Sequence, residues 1–110
     1  MPPPGTPGWE RRAIGYLLDV APGEYRSEPV YTRFPAVLAW RVEALVEAQL
    51  RAARASYARA RAELGGVVTP EAVGEALAAL EREGAHLLAL RREVDLLGRA
   101  LRGEAFVPRL

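Results

Sequence analysis

The longest segment without glycine or proline runs from residue 36 to residue 64 and is rich in alanine, leucine, arginine and glutamate. These residues have high helix propensity, so the segment predicts one continuous helix over about residues 35–64. A helix of this length needs another element packed along it, because isolated helices are marginal in water. The remaining segments are therefore interpreted by what they can place against this helix.

A second long helix is predicted over residues 70–102. Thr69-Pro70-Glu71 has the features of a helix start, namely a capping hydroxyl, a proline in the first turn and an acid near the N-terminus. Gly103 marks its end. The connection at residues 65–68 is so short that the two long helices must run antiparallel.

Both long helices have an apolar face at helical spacing, which predicts that they bury these faces against each other. The face of the first helix consists of Leu38, Val42, Leu45, Val46, Leu50, Ala53, Tyr57, Ala60 and Leu64. The face of the second consists of Val73, Ala76, Leu77, Leu80, Leu87, Leu90, Val94, Leu97 and Leu101. Gly84 and Gly98 lie on this second face, where a missing side chain predicts a close approach.

A short helix is predicted over residues 7–20, with Thr6 as N-cap and proline in the first turn. It is too short to be stable alone and must dock on the hairpin. In the connection that follows, Ser27-Glu28-Pro29 predicts a single helical turn, and Tyr25, Val30 and Tyr31 are expected to pack beneath the loop. We therefore expect a flexible Pro-rich leader at residues 1–5 and one helical domain at residues 6–110.

The composition favours an all-α fold, because only 7% of the residues are aromatic and the apolar content is mainly alanine, leucine and valine. No apolar run approaches the ~20 residues of a membrane span, and no secretory signal is recognised, so a cytoplasmic location is expected. All 15 basic residues are arginine, which indicates GC-rich coding, with a thermophilic bacterial source as the alternative. The residues indicate no family.

The sequence contains few side chains that could act in catalysis or bind a cofactor. The chain has one histidine and no cysteine, and its two serines, Ser27 and Ser56, lie outside any nucleophile motif. We expect no enzyme activity and no cofactor. Glu83 and His86 are weak metal-ligand candidates, because a Glu-x-x-His pair on a helix can bind metal in a four-helix bundle. The alternative without a metal is that His86 lies at the edge of the apolar face and forms a hydrogen bond there.

Charge is unevenly distributed along the hairpin, although the net charge is only +1. The basic cluster at the end of the first long helix consists of Arg51, Arg54, Arg59 and Arg61. The acidic cluster at the start of the second consists of Glu71, Glu75, Glu81 and Glu83. Antiparallel pairing places these clusters side by side, which predicts salt bridges between them. If the arginines are instead free, they are candidate phosphate contacts, and a nucleic-acid-binding accessory is the alternative function.

The first long helix also has a second face, opposite the apolar one, that carries small side chains where charge would be expected. A face of this kind predicts an interface with another helix; the alternative is that the alanines are present only because alanine is the best helix former and is favoured by GC-rich coding. Its members are Trp40, Ala44, Ala48, Ala55, Ala58 and Ala62. We expect Trp9 of the short helix to pack against the same interface. The sequence thus predicts a homodimer in which two hairpins form a coiled-coil-like four-helix bundle. Its function would be that of a small structural or protein-interaction protein.

Overall fold

The structure, a computed structural model, describes residues 5–103. These residues form helices joined by short turns and include no β-strand, which confirms the predicted all-α fold. The helices are α1 (Trp9–Val20), α2 (Pro29–Arg33), α3 (Pro35–Glu63) and α4 (Pro70–Leu101), with 3₁₀ turns at Gly23–Ser27 and Leu64–Gly66. The leader expected at residues 1–5 lies outside the described residues apart from Gly5.

The chain divides into two compact units. Unit 1 comprises Met1–Leu45 and Arg92–Leu110, and unit 2 comprises Val46–Arg91. Each of the two long helices therefore contributes one segment to each unit.

In unit 1, α1 buries one face. Trp9, Ala13 and Leu17 recur at intervals of four residues and are all buried, as is Leu18. This spacing places them on one side of the helix. The hydroxyl of Tyr16, also in α1, donates a hydrogen bond to Glu93 of α4. This bond links the short helix to α4.

The start of α1 differs from the expected one. The helix begins at Trp9 rather than at residue 7, and no side chain caps it. The physical reason is Gly8, whose φ of +78° is left-handed and cannot belong to a right-handed helix. The chain forms a turn instead, in which the Trp9 N–H donates to the Thr6 carbonyl at 2.9 Å.

The connection in unit 1 is held by aromatic packing. Tyr25 is buried and stacks on Tyr31, with ring centroids 4.8 Å apart. The helical turn expected from Ser27-Glu28-Pro29 is present as α2. Val30 was also expected to pack beneath the loop, but it is exposed, because the first turn of α2 directs it outwards.

In unit 2, the segments of α3 and α4 run antiparallel. Glu47 forms an ion pair with Arg91 at 3.4 Å, and the Tyr57 hydroxyl donates to Glu81 at 3.0 Å. Residues ten positions later in α3 thus meet residues ten positions earlier in α4. The core of this unit is small and centres on Leu50, Ala53 and Leu87, with Leu88 and Leu90 packed against them.

The ends of α4 follow the sequence signals. The Thr69 hydroxyl accepts a hydrogen bond from the Ala72 N–H at 3.2 Å, as an N-cap does. At the other end, Gly103 has a φ of +79°, the left-handed conformation that commonly ends a helix. Among the helices of residues 5–103, none combines the length and apolar content needed to cross a membrane.

The two glycines expected to permit a close approach behave differently. A Cβ atom built at Gly98 would collide with the carboxylate of Glu43, so the side chain of Glu43 uses the space that the glycine leaves. At Gly84 the same atom would meet nothing within 4 Å. The expectation is therefore confirmed at Gly98 and wrong at Gly84 within one copy of the chain, because no side chain of the opposite helix reaches that position.

Candidate interaction surfaces

Unit 1 carries large apolar side chains that remain in water. Trp40 is 65% exposed and Phe34 is 51% exposed, and Val37 lies between them at helical spacing. The guanidinium of Arg33 lies 5.3 Å from the centroid of the Phe34 ring. Aromatic side chains are enriched at interaction sites, and two of them are exposed within this short segment.

Phe34 was missed at the sequence level because it precedes α3. The available signal was its spacing, since Phe34, Val37 and Trp40 follow one another at intervals of three residues. The backbone continues this spacing, because the Val37 N–H donates to the Phe34 carbonyl at 2.8 Å.

The alanines of the predicted interface are all exposed in the single chain. Ala44 lies in unit 1, and unit 2 contains the others, Ala48, Ala55, Ala58 and Ala62. Trp9 differs from them, because it is only 9% exposed and packs inside unit 1. Its ring N–H is buried and has no hydrogen-bond partner among residues 5–103.

The basic cluster is exposed, and the structure pairs little of it. Arg59 forms an ion pair with Glu63, one turn further along α3, at 2.8 Å. Arg51, Arg54 and Arg61 form no ion pair with any residue that the structure describes. The salt bridges expected between the basic and acidic clusters are thus not present in the single chain. Two residues one turn apart on the same helix meet more readily than residues that project from two helices towards water.

Glu83 and His86, the weak metal-ligand candidates, are both exposed on α4 in unit 2. The described part of the chain contains no group of three histidine, aspartate or glutamate side chains placed to hold a metal ion. The structure therefore brings no third ligand to this pair from residues 5–103.

Each unit has one tyrosine that donates a hydrogen bond to a glutamate of α4. In unit 1, burial and the bond to Glu93 raise the pKa of Tyr16 from 10.0 to about 12. In unit 2, the bond to Glu81 is the main cause that raises the pKa of Tyr57. Both bonds tie a neighbouring helix to α4 at a defined height.

Glu43 is the most perturbed carboxylate, and the sequence analysis did not single it out. Its Oε1 atom is buried without a hydrogen-bond partner among the described residues, and lies 3.6 Å from an Arg102 nitrogen. Burial raises the pKa of Glu43, and the charge of Arg102 partly opposes this effect. A signal was available, because Ala39 and Val46, four residues before it and three after it, are both buried.

Comparison with protein-family models, with curated proteins and with solved structures finds no match. The exposed surfaces of the chain are therefore the features that bear on its function.

Proposed function

We propose that the chain is a small structural or interaction protein of the cytoplasm that acts through helical self-association and partner binding. Two copies would form a homodimer in which the long helices build a four-helix bundle. The observation that carries the proposal is the exposure of Trp40, an aromatic side chain that is 65% in water. Covering such a side chain removes apolar surface from water, at roughly 25 cal/mol per Å².

The small core of unit 2 supports the same proposal. Leu50 and Leu87 are the buried leucines of this unit, and many of its other apolar side chains are only partly covered. A pair of helices with so little buried surface is marginal on its own, and oligomerisation is a common way to complete such a core. The exposed alanines of α3 would let a second helix approach closely.

The test is the oligomeric state of the full chain and of Trp40→Ser, measured by sedimentation equilibrium at micromolar concentration. We expect a dimer for the wild-type protein and a shift towards monomer for Trp40→Ser. Val67→Ser is the matched control, because Val67 is 76% exposed but lies in the turn between α3 and α4. A monomeric wild-type protein would refute the proposal.

A second variant examines the alanine face. Ala48→Glu places a charge on an exposed position of α3, and glutamate is itself a good helix former. The helix should persist by circular dichroism while the dimer dissociates. A dimer as tight as the wild type would show that Ala48 is only surface.

Binding of nucleic acid is the second candidate function, and Arg51, Arg54 and Arg61 favour it because they form no ion pair within residues 5–103. Arginine contacts to phosphates release counterions, so binding should weaken steeply with salt. Fluorescence anisotropy with a labelled DNA duplex at two salt concentrations tests this candidate. Binding that the variant Arg54→Gln/Arg61→Gln does not weaken would count against it.

A further inference from the structure

Unit 2 has one side on which unpaired arginines, a glutamate and partly buried leucines lie together. Arg54 and Arg61 lie three residues before and four residues after Tyr57, so the three side chains share one side of α3. Leu77 and Leu88 lie four residues before and seven after Glu81, so these share one side of α4. The hydrogen bond between Tyr57 and Glu81 joins the two sets at one edge of the hairpin. We call these six residues the Tyr57 side.

The charges on the Tyr57 side are exposed to water and have few protein partners within one copy. Arg54 and Arg61 form no ion pair within residues 5–103, and Glu81 receives only the Tyr57 hydroxyl at one of its two oxygens. Leu77 and Leu88 are only partly buried. An occupant complementary to this side would offer a carboxylate to the arginines, an arginine to Glu81 and apolar surface to the leucines.

The chain itself has this chemistry. We infer that a second copy docks on the Tyr57 side through a two-fold axis parallel to α3 and α4 of unit 2. In that arrangement α3 of one copy packs against α4 of the other, and the turns between α3 and α4 lie at the same end of the bundle. This inference rests on the proposed self-association, but it places the second copy beside Tyr57 and leaves Ala48 and Ala55, on the opposite face of α3, outside the interface. Dissociation of the dimer by Ala48→Glu would therefore contradict this geometry while keeping the self-association.

The heights of the residues fit this arrangement. Rotation about an axis parallel to the helices leaves the height of every residue unchanged. Glu81 stands level with Tyr57, as their hydrogen bond shows, so Glu81 of one copy would stand level with Tyr57 of the second copy. Arg54 and Arg61 are spaced about 10 Å apart along the axis. Glu81 would therefore lie midway between the two arginines of the other copy, within reach of both long side chains.

The net charge of unit 2 favours a second copy over a nucleic acid. The segment 46–91 contains six arginines and six glutamates, so the unit as a whole is neutral. A phosphate backbone would attract Arg54 and Arg61 but repel Glu81 on the same side. A second copy, in contrast, pairs each sign with its opposite on both halves of the interface.

The test uses two charge-reversed proteins. The acidic variant is Arg54→Glu/Arg61→Glu, and the basic variant is Glu81→Arg. Each alone brings like charges together, and we expect its dimer dissociation constant to rise by about tenfold or more. Mixed in equal amounts, the two variants should form a heterodimer of about wild-type affinity, because both halves of the interface are then complementary. Native mass spectrometry separates the three species by mass.

Two controls isolate the charge effect. Glu83→Arg makes the same charge change two residues further along α4. The side chain at position 83 projects from the opposite side of the helix to that at position 81. Tyr57→Phe removes the hydrogen bond to Glu81 without changing any charge at neutral pH. Both controls should dimerise like the wild type, and circular dichroism verifies that every variant is helical.

The orientation has its own measurement, because the chain contains no cysteine. Val67→Cys introduces one thiol in the exposed turn between α3 and α4. Spin labels on two copies should report a short distance, since the proposed axis places both turns at one end. A long distance, with the two turns at opposite ends, would overturn the geometry.

The outcomes separate this inference from the proposed function. A wild-type dimer that Trp40→Ser dissociates but Glu81→Arg leaves intact keeps the self-association and refutes the Tyr57 side. A wild-type protein that stays monomeric refutes both. If the protein is a monomer that binds a DNA duplex through Arg54 and Arg61, the occupant of the Tyr57 side is a nucleic acid and not a second copy.

Discussion

The carboxylate of Glu43 in α3 lies against the backbone of Gly98 in α4, in the space that a side chain at position 98 would occupy. A glycine inside a helix normally lowers stability, because its unfolded state has more conformational freedom than that of alanine. At Gly98 this cost is offset by the room that it gives to Glu43. The two residues should therefore be energetically coupled.

Replacement of glycine by alanine in two helices of unit 1 tests this coupling. Gly15 in α1 has open space around it, so Gly15→Ala should raise the free energy of unfolding by about 0.5–1 kcal/mol. Gly98→Ala should gain less, because the new methyl group displaces the Glu43 carboxylate. Urea unfolding followed by circular dichroism measures both changes.

A double-mutant cycle provides the control for this coupling. In a Glu43→Ala background the carboxylate is absent, and Gly98→Ala should then regain the stability expected of an open helical position. Equal gains for Gly98→Ala with and without Glu43 would contradict the proposed contact.

The pH dependence of Glu43 has a defined sign. Burial raises the pKa of Glu43 above 4.5 in the folded protein, so the folded state favours the protonated acid. The stability gained from the protonated acid is fully present below the pKa that Glu43 has in the unfolded chain. It is lost as the pH rises through the pKa that Glu43 has in the folded protein. Glu43→Gln stays neutral at every pH and avoids the loss. The stability of this variant relative to the wild type should therefore increase between pH 4 and pH 7.

Urea denaturation at pH 4 and pH 7 measures this difference. The charge of Arg102 partly compensates the buried carboxylate, so the increase should be larger in an Arg102→Gln background. If the two proteins differed by the same amount at both pH values, Glu43 would not titrate in this range.

The two Thr-Pro signals show where sequence analysis succeeds and where it fails. Thr69 caps α4 with its hydroxyl, as predicted, whereas Thr6 contributes only its backbone carbonyl to a turn. The local sequences differ in the next residue, since Pro70 is followed by Glu71 and Pro7 by Gly8. Glycine can adopt the left-handed conformation that moves the helix start, and a propensity argument for threonine and proline does not contain that choice.

Threonine-to-alanine substitutions at positions 69 and 6 measure how much each threonine hydroxyl contributes to stability. Thr69→Ala should lower the free energy of unfolding by about 0.5–2 kcal/mol, because the Ala72 N–H loses its acceptor. Thr6→Ala should change it by no more than a few tenths of a kcal/mol, because the backbone carbonyl of residue 6 remains. Thermal unfolding of the two variants under identical conditions gives the comparison. A loss at Thr6 as large as that at Thr69 would mean that the Thr6 hydroxyl also caps α1.

The candidate surfaces were predictable only in part. Helical periodicity placed Trp40 and the alanines of α3 on one face, and the structure shows them exposed. The same reasoning assigned Trp9 to the interface, because a sequence pattern gives the face of a short helix but not the element that covers it. The pairing of charges also escaped prediction. Contacts between long side chains depend on rotamers and on heights along two helices, and neither is encoded in residue spacing alone.

The two tyrosine–glutamate bonds should respond differently when the glutamate is neutralised. Burial is the first cause that raises the pKa of Tyr16 to about 12, so Glu93→Gln should leave this pKa well above 10.0. The hydrogen bond to Glu81 is the first cause at Tyr57, so Glu81→Gln should return the Tyr57 pKa most of the way to its ordinary value. Carbon-13 NMR of the tyrosine rings follows each group separately. Equal responses at the two tyrosines would contradict this assignment.

The raised pKa of Tyr16 also makes the free energy of unfolding depend on pH. The contribution of the protonated Tyr16 hydroxyl to this free energy is present below pH 10 and is lost between pH 10 and about 12. The variant Tyr16→Phe should therefore lose less stability than the wild type across that interval.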